Sequence, residues 1–333
     1  MTMTGEKARS ETIMVVDLGF SAAKFLCGDK KGMVKSCFRK TRDGGGFPFG
    51  GDNYLIGERA LLQTGSHFLR TTEELIAYYP LFVGVASEKS RIDHGDILAV
   101  GLPFDCWKAE SSKQKRGACN AIDGLTASLK LVSFNNKEFT FERVLVYPQG
   151  LGGIKIYLAT GENTGGNILA IDIGFNTVIS TLYSQADHEI LTGRTFYKKG
   201  LHDMAVNLLM PDIASHIGGK TFTPLEVNHL VETGHIQVGF DLIDIRPEIN
   251  VAANTYIQDL LAMIIGDLKA HGGVITFETI LLFGGGARLL EGKLEATKVK
   301  IVTLPEPEYA NARGFQIKTN EIMGIHMTGA GIE

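Results

Sequence analysis

Two stretches of the chain end an apolar run in the same way. IMVVDLGFSAAK (13–24) and ILAIDIGFNTVIS (168–180) each place an aspartate, one further residue, a glycine and then hydroxyl or amide side chains after a strand-like segment. Asp17-Leu18-Gly19 thus returns as Asp172-Ile173-Gly174, 155 residues later. A carboxylate at the tip of a buried strand is costly unless a cation or hydrogen-bond donors compensate it, so a chain that builds two is heavily constrained. The echo predicts an α/β chain of two related halves, and 333 residues suit two compact units of about 150 residues each.

Apolar periodicity fills in the halves. Strands are predicted at Ile13–Val16, Ala23–Cys27 and Met33–Phe38, then a weakly structured glycine-rich stretch at 43–53. A helix over 71–86, interrupted by Pro80, precedes strands at Ile97–Gly101, Leu129–Phe134 and Glu138–Val146, with Ser111–Gly117 as a charged surface segment. Val144–Tyr147 runs into Pro148-Gln149-Gly150 and a helical pattern at Leu151–Leu158, and the loop 159–166 is the expected boundary. The second half restarts with strands Ile168–Ile171, Val178–Tyr183 and Glu189–Arg194, followed by helices near 201–217 and 250–270. Strand Thr279–Phe283 meets three glycines at 284–286, and the chain closes with Ile301–Leu304, a loop at PEPEYANARGF and a C-terminal helix.

Composition excludes some partners. The net charge is −4 and no run of five basic residues occurs, which argues against a broad nucleic-acid-binding face, though not against DNA held through an adaptor. No stretch of 18 apolar residues marks a membrane span, and MTMTGEKARSET lacks the apolar core of a signal peptide. Residues 1–11 are expected to form a disordered tail. Cys27, Cys37, Cys106 and Cys119 form no C-x-x-C pair and suit a reducing compartment, so a cytoplasmic location is expected.

The two tips have a shared chemistry. Facing aspartates repel unless a hydrated Mg²⁺ lies between them, an ion that prefers oxygen ligands and keeps several waters. The glycine two residues later permits a tight hairpin whose N–H groups point at phosphate oxygens. Ser21 on one turn and Asn176 and Thr177 on the other add donors, and Lys24 lies within reach of a β- or γ-phosphate as a point charge. A single Asp-x-Gly after a strand is an ordinary turn; its duplication argues for a clasp around a nucleoside triphosphate. ILLFGGGARLL (280–290) adds bare backbone against which a flat base and its ribose would lie.

The ordered set VVDLGFSAAK, VYPQG, AIDIGFNT and LLFGGGARLL resembles the actin/hexokinase/heat-shock-chaperone ATPase superfamily, where these are the phosphate 1, connect 1, phosphate 2 and adenosine motifs. YLIGERA (54–60) and PEYANARGF (307–315) are similar to plasmid-segregation actins of the ParM/StbA type and to a short archaeal actin relative. The resemblance implies an actin-like (ribonuclease H-like) fold, with 12–166 plus 312–333 as one domain and 167–311 as the other. It implies that Asp17 and Asp172 hold a Mg²⁺ water shell, that Gly19, Phe20, Ser21, Lys24, Gly174, Asn176 and Thr177 meet phosphates, and that Gly284, Gly285 and Gly286 meet the adenosine. Gln149 falls where the family places the residue that orients the attacking water. Ribose contacts fall to Glu226, Asn228 or Glu232, which the sequence does not separate. Where the family often has a second Thr followed by Asp, this chain has Val178 and Ile179, so slow or differently arranged hydrolysis is expected.

The implied function is an ATPase that binds ATP (GTP being possible) with Mg²⁺, polymerises with copies of itself and segregates plasmid or other DNA through an adaptor protein. A non-filamentous ATP-binding adaptor and a small-molecule kinase on the same fold are the rivals. The kinase lacks a sugar-site signature, and the adaptor lacks a basic amphipathic C-terminal helix. ASHIGGKT (214–221) satisfies a permissive P-loop pattern, but the preceding residues are helical, so Gly218-Gly219 is expected to end a helix.

Overall fold

The computed structural model describes residues 12–41, 45–61, 63–161, 165–218, 222, 224–272, 276–294 and 298–325; the expected tail 1–11 and residues 326–333 lie outside this set. The chain opens with β1 (Ile13–Leu18), β2 (Ala22–Cys27) and β3 (Lys30–Lys35), an antiparallel meander. The single strand expected at Met33–Phe38 is broken at Ser36, whose N–H donates to Ser21 O and whose hydroxyl donates to Gly19 O at 2.6 Å. The break thus braces the first Asp-x-Gly turn from behind. A small four-stranded sheet follows, from β4 (Cys37–Thr41), β5 (Phe47–Phe49), β6 (Asp52–Ile56) and β7 (His67–Phe68), with the one-turn α1 (Glu58–Leu61) between the last two.

Helix α2 (Thr72–Ser90) continues past Pro80 without a break. A mid-helix proline costs about 3 kcal/mol, whereas burying a large apolar side chain contributes roughly 1.5–3 kcal/mol. Leu75, Tyr79, Leu81 and Phe82 are all buried, so their sum outweighs the proline. The helix is also capped at Thr71, whose hydroxyl accepts from Glu74 N. Next come β8 (His94–Leu102), α3 (Phe104–Lys115), α4 (Ala121–Lys130), β9 (Leu131–Phe134), β10 (Lys137–Pro148) and α5 (Leu151–Ala159). The surface segment expected at Ser111–Gly117 is largely the C-terminal end of α3; its charges decorate an exposed helix face. The unforeseen α4 is capped by Asn120, which accepts from Asp123 N at 2.9 Å.

The second half contains β11 (Asn167–Ile173), β12 (Thr177–Ser184) and β13 (Glu189–Tyr197), then α6 (Leu201–Met204), a π-helical turn at Ala205–Leu209 and α7 (Met210–Ile217). Gly218, with φ +59°, ends that helix, so no strand leads into the P-loop-like stretch; residues 219–221 lie outside the described residues. Then follow α8 (Pro224–Thr233), the hairpin β14 (His235–Val238) and β15 (Asp241–Asp244), α9 (Arg246–Gly272), β16 (Thr279–Phe283), α10 (Ala287–Leu290), β17 (Lys300–Thr303) and α11 (Ala310–Met323). The loop expected at PEPEYANARGF is instead a 3₁₀ turn, Pro307–Tyr309, leading directly into α11. Pro307 occupies a first-turn position where its missing N–H is no loss.

The duplication is visible in the sheets. The first has the order β3-β2-β1-β8-β10-β9 and the second β13-β12-β11-β16-β17. In each, an antiparallel three-strand meander adjoins two strands parallel to its first member. The helices that follow are exchanged. Helix α5 leaves the first sheet and buries Ile154, Ile156 and Tyr157 against Ile168, Ala170, Leu281 and Phe283 of the second. Helix α11 leaves the second sheet and buries Ala312 and Phe315 against Ile13, Val15, Ile97 and Ala99 of the first. The two helices cross with backbones in contact: a Cβ on Gly314 would lie 2.2 Å from Gly152 O, and one on Gly152 would lie 2.3 Å from Asn311 Cα.

Candidate functional site

Both Asp-x-Gly segments form hairpin turns of the same design. Gly19 N donates to Ala22 O at 3.0 Å, and Gly174 N donates to Thr177 O at 2.9 Å. Asp17 is the last residue but one of β1 and pairs in register with Lys24 of β2, whose ammonium folds back over Gly19. The end of β1 is fixed further by buried Tyr79, whose hydroxyl receives Leu18 N and Gly101 N and lies 2.8 Å from Val16 O. Asp172 holds the same place on β11.

The two carboxylates, both buried, are joined by side chains from the connecting segments. Gln149 Nε2 donates to Asp17 Oδ1 at 2.8 Å and to Leu18 O at 3.2 Å. Asn311, the second residue of α11, donates to Asp172 Oδ2 at 2.7 Å and accepts from Gly150 N at 3.1 Å. Burial pushes the Asp17 carboxyl up, and Lys24, Gln149 and Asn311 only partly offset it. Asp172 is pushed up to about 6, first by burial and then by the Asp17 charge, with Asn311 and Lys24 pulling the other way. The floor of the site is therefore short of positive charge, the condition a hydrated divalent cation relieves.

The three glycines after β16 differ in role. Gly284, at φ +85°, lies so close that a Cβ would be 2.3 Å from Asp172 Oδ1, and Gly286 is wedged against Ile173 and Leu201. Gly285 has open space at its Cβ position, leaving bare backbone beside the second hairpin. Phe20 is buried, Ser21 and Asn176 are half-buried, and Thr177 is buried at the start of β12. Phe20, Phe175 and Asn176 line a cavity of about 950 Å³ that extends to Phe68, Lys198 and His202, while neither aspartate lines it.

The structure thus brings Asp17, Lys24, Gln149, Asp172 and Gly284 together. Of the ribose candidates on α8, Glu226 is half-buried, and Glu232 reaches Lys35 of β3 at 3.2 Å across the two halves. The side chain of Asn228 lies outside the described residues. Val178 and Ile179 are both buried, and a Cβ on Gly150 would meet Thr181 Oγ1 at 2.6 Å and Ile179 Cγ2 at 3.0 Å.

Sequence reasoning missed Asn311. Its signal lay inside PEPEYANARGF, but two prolines made that stretch read as a loop. Asn311→Ala removes the donor to Asp172 and leaves the buried Gly150 N–H unpaired. The expected loss is about 2–3 kcal/mol, measured by denaturant unfolding at neutral pH; unchanged stability would show that the network carries little.

No protein-family model and no curated protein sequence matches the chain. Solved structures do match. An archaeal actin homolog in complex with ADP superposes with a TM-score of 0.70 at 18% identity, over 93% of this chain and 99% of the other. The fold is actin-like. A 15-stranded ParM filament from Clostridium botulinum gives a TM-score of 0.67 at 17% identity, covering 94% of this chain and 100% of its own. Bacillus thuringiensis ParM with ATP gives 0.61 at 11% identity, covering 96% and 100%. At such identities the likeness establishes the actin-like fold, with its two related sheets flanking a cleft. No helix among the described residues is long and apolar enough to cross a membrane.

Proposed function

We propose that this actin-like chain is an ATPase that binds ATP–Mg²⁺ between its two hairpin turns and assembles with copies of itself into filaments, of the plasmid-segregation kind. The observation that carries the reading is the pair of buried carboxylates, Asp17 and Asp172, presented by matching hairpins and tied together through Gln149 and Asn311. Their oxygen-only, under-compensated donor set fits a hydrated Mg²⁺. When bound, that ion would screen the two carboxylates and neutralise charge on the phosphates.

The residues divide the remaining work. Gly19, Phe20 and Ser21 on one turn, and Gly174, Asn176 and Thr177 on the other, would offer donors to the phosphates. Lys24 would add its charge, and the bare backbone at Gly284–Gly286 would take the base. Both Nε2 hydrogens of Gln149 are engaged by Asp17 and Leu18 O, so its amide oxygen is the group left to accept a hydrogen bond from an attacking water and orient it. Ile179, where a polar partner for that water would help, supports slow turnover. The glycines present no side chain to a base edge, so GTP is the alternative to test.

Two bodies, 12–166 with 312–333 and 167–311, would hinge at the crossing of α5 and α11, and nucleotide would favour the closed cleft. Support for assembly comes from the filament relative and from the β14–β15 hairpin. There Phe240 is 106% exposed and Leu242 68% exposed, large apolar side chains at an acidic tip. A DNA-binding adaptor would connect the filament to its cargo. Light scattering and pelleting with ATP–Mg²⁺ and GTP–Mg²⁺ test the reading: a nucleotide-dependent rise at micromolar protein supports it, and none would favour the adaptor or kinase alternatives. Phe240→Asp is expected to reduce the pelleted fraction at least tenfold while nucleotide binding persists; wild-type pelleting would exclude the hairpin as a contact.

A further inference from the structure

A second set of ligand-type side chains lies at the opposite end of the first sheet. His94 and Asp96 sit two apart on β8, so they face the same side, and parallel β10 places Thr140 beside His94 in register with Glu142 two residues further on. One ligand atom each from His94, Asp96 and Glu142 falls within 4.8 Å of the others. His94 Nε2 and Glu142 Oε1 are 3.6 Å apart, close to the roughly 3.3–3.5 Å between two ligands that share a tetrahedral zinc at about 2.0–2.1 Å.

Two hydrogen bonds orient the ligands. His94 Nδ1 lies 2.9 Å from Thr140 Oγ1, which leaves Nε2 as the ligating nitrogen. Asp96 Oδ2 receives Thr12 N at 2.6 Å, which holds the carboxylate while its other oxygen stays available. Glu142 and His94 are exposed enough for an ion to enter and for waters to complete its coordination.

We propose that His94, Asp96 and Glu142 form a divalent-cation site of the borderline class that accepts mixed imidazole and carboxylate ligands, with Zn²⁺ as its best fit. Mg²⁺ prefers oxygen ligands and takes no part here. Roughly seven strand residues, about 20 Å, separate Glu142 from Gln149, so this ion is distinct from the one proposed between Asp17 and Asp172. It would bridge β8 to β10 and, through Asp96 and Thr12, fasten the start of β1. Its role is to stabilise the base of the first sheet, whether or not the cleft hydrolyses nucleotide.

The test uses the full chain stripped with EDTA, with ZnCl₂ titrated by calorimetry and followed by thermal unfolding. The expected result is binding accompanied by a rise of several degrees in unfolding temperature, with MgCl₂ giving none. His94→Ala and the exposed Glu142→Gln should each weaken Zn²⁺ binding at least tenfold. Thr140→Val, which keeps every ligand but frees His94 Nδ1, should weaken it about tenfold. Absence of a Zn²⁺-dependent shift, or wild-type binding in Glu142→Gln and His94→Ala, would overturn the site and assign any residual affinity to other histidines or cysteines.

Discussion

Asp172→Asn is expected to raise the unfolding temperature of the ligand-free protein at pH 7 and to cut the proposed Mg²⁺-dependent hydrolysis about 10²-fold or more. These outcomes have one cause. Burial and the neighbouring Asp17 charge hold the Asp172 carboxyl at about 6 in the folded chain, against about 3.9 in an unfolded one. The native state therefore binds this proton more tightly than the unfolded state. Stability from Asp172 is present in acid and is lost as pH rises from about 4 through about 6. At pH 7 the ionised group costs on the order of 2–3 kcal/mol, which an uncharged amide of the same shape recovers. The expected gain is several degrees, seen as a shallower fall in unfolding temperature between pH 5 and 7 than in the wild type. Turnover, which needs the charge, should drop by roughly 10² or more. A destabilised variant, or one with wild-type hydrolysis, would show that the two carboxylates are not electrostatically coupled at the site.

Gly314→Val should cause the largest loss of stability of any single change considered. Even the first added carbon would lie 2.2 Å from Gly152 O and 2.3 Å from Gly152 Cα, and backbone in a crossing of two helices has no rotamer to change. Overpacking of a core typically costs about 1–3 kcal/mol when side chains give way; here the helices themselves must separate, so a loss above that range is expected. The displaced segment includes Asn311, so its bond to Asp172 would break as well. Thermal unfolding of Gly314→Ala and Gly314→Val gives a graded series, with Gly266→Ala as the contrast. Gly266 has open space at its Cβ position and lies within α9, where alanine is favoured by up to about 1 kcal/mol. Equal behaviour of the two glycines would remove the crossing from the account.

What was legible in the sequence follows from how local each signal is. The two hairpins were readable because strand, carboxylate, glycine and hydroxyl all lie within a dozen residues. The strand between Thr279 and Phe283 was readable because a fully buried parallel strand is a continuous apolar run. Pro80 and Pro307 both understate helix: the helix expected over 71–86 is present and continues past Pro80, and Pro307 opens the turn that leads into α11. Asn311 was invisible for a different reason: an amide in a polar stretch means little until the fold brings it to its partner, Asp172, 139 residues away in sequence. Glu232, one of three ribose candidates that the sequence does not separate, reaches Lys35 on the other half, a pairing no sequence window contains.

The exchanged helices have a consequence for synthesis. The face of the first sheet formed by Ile13, Val15, Ile97 and Ala99 is closed by Ala312 and Phe315, which are translated long after those strands. At about 5–20 residues per second, the 150 or so residues between α5 and α11 take on the order of ten seconds or more. Throughout that time the nascent first half exposes an apolar surface that nothing already translated can cover. The halves share one sheet pattern, yet each borrows a helix from the other, so the first core stays incomplete until α11 has been made.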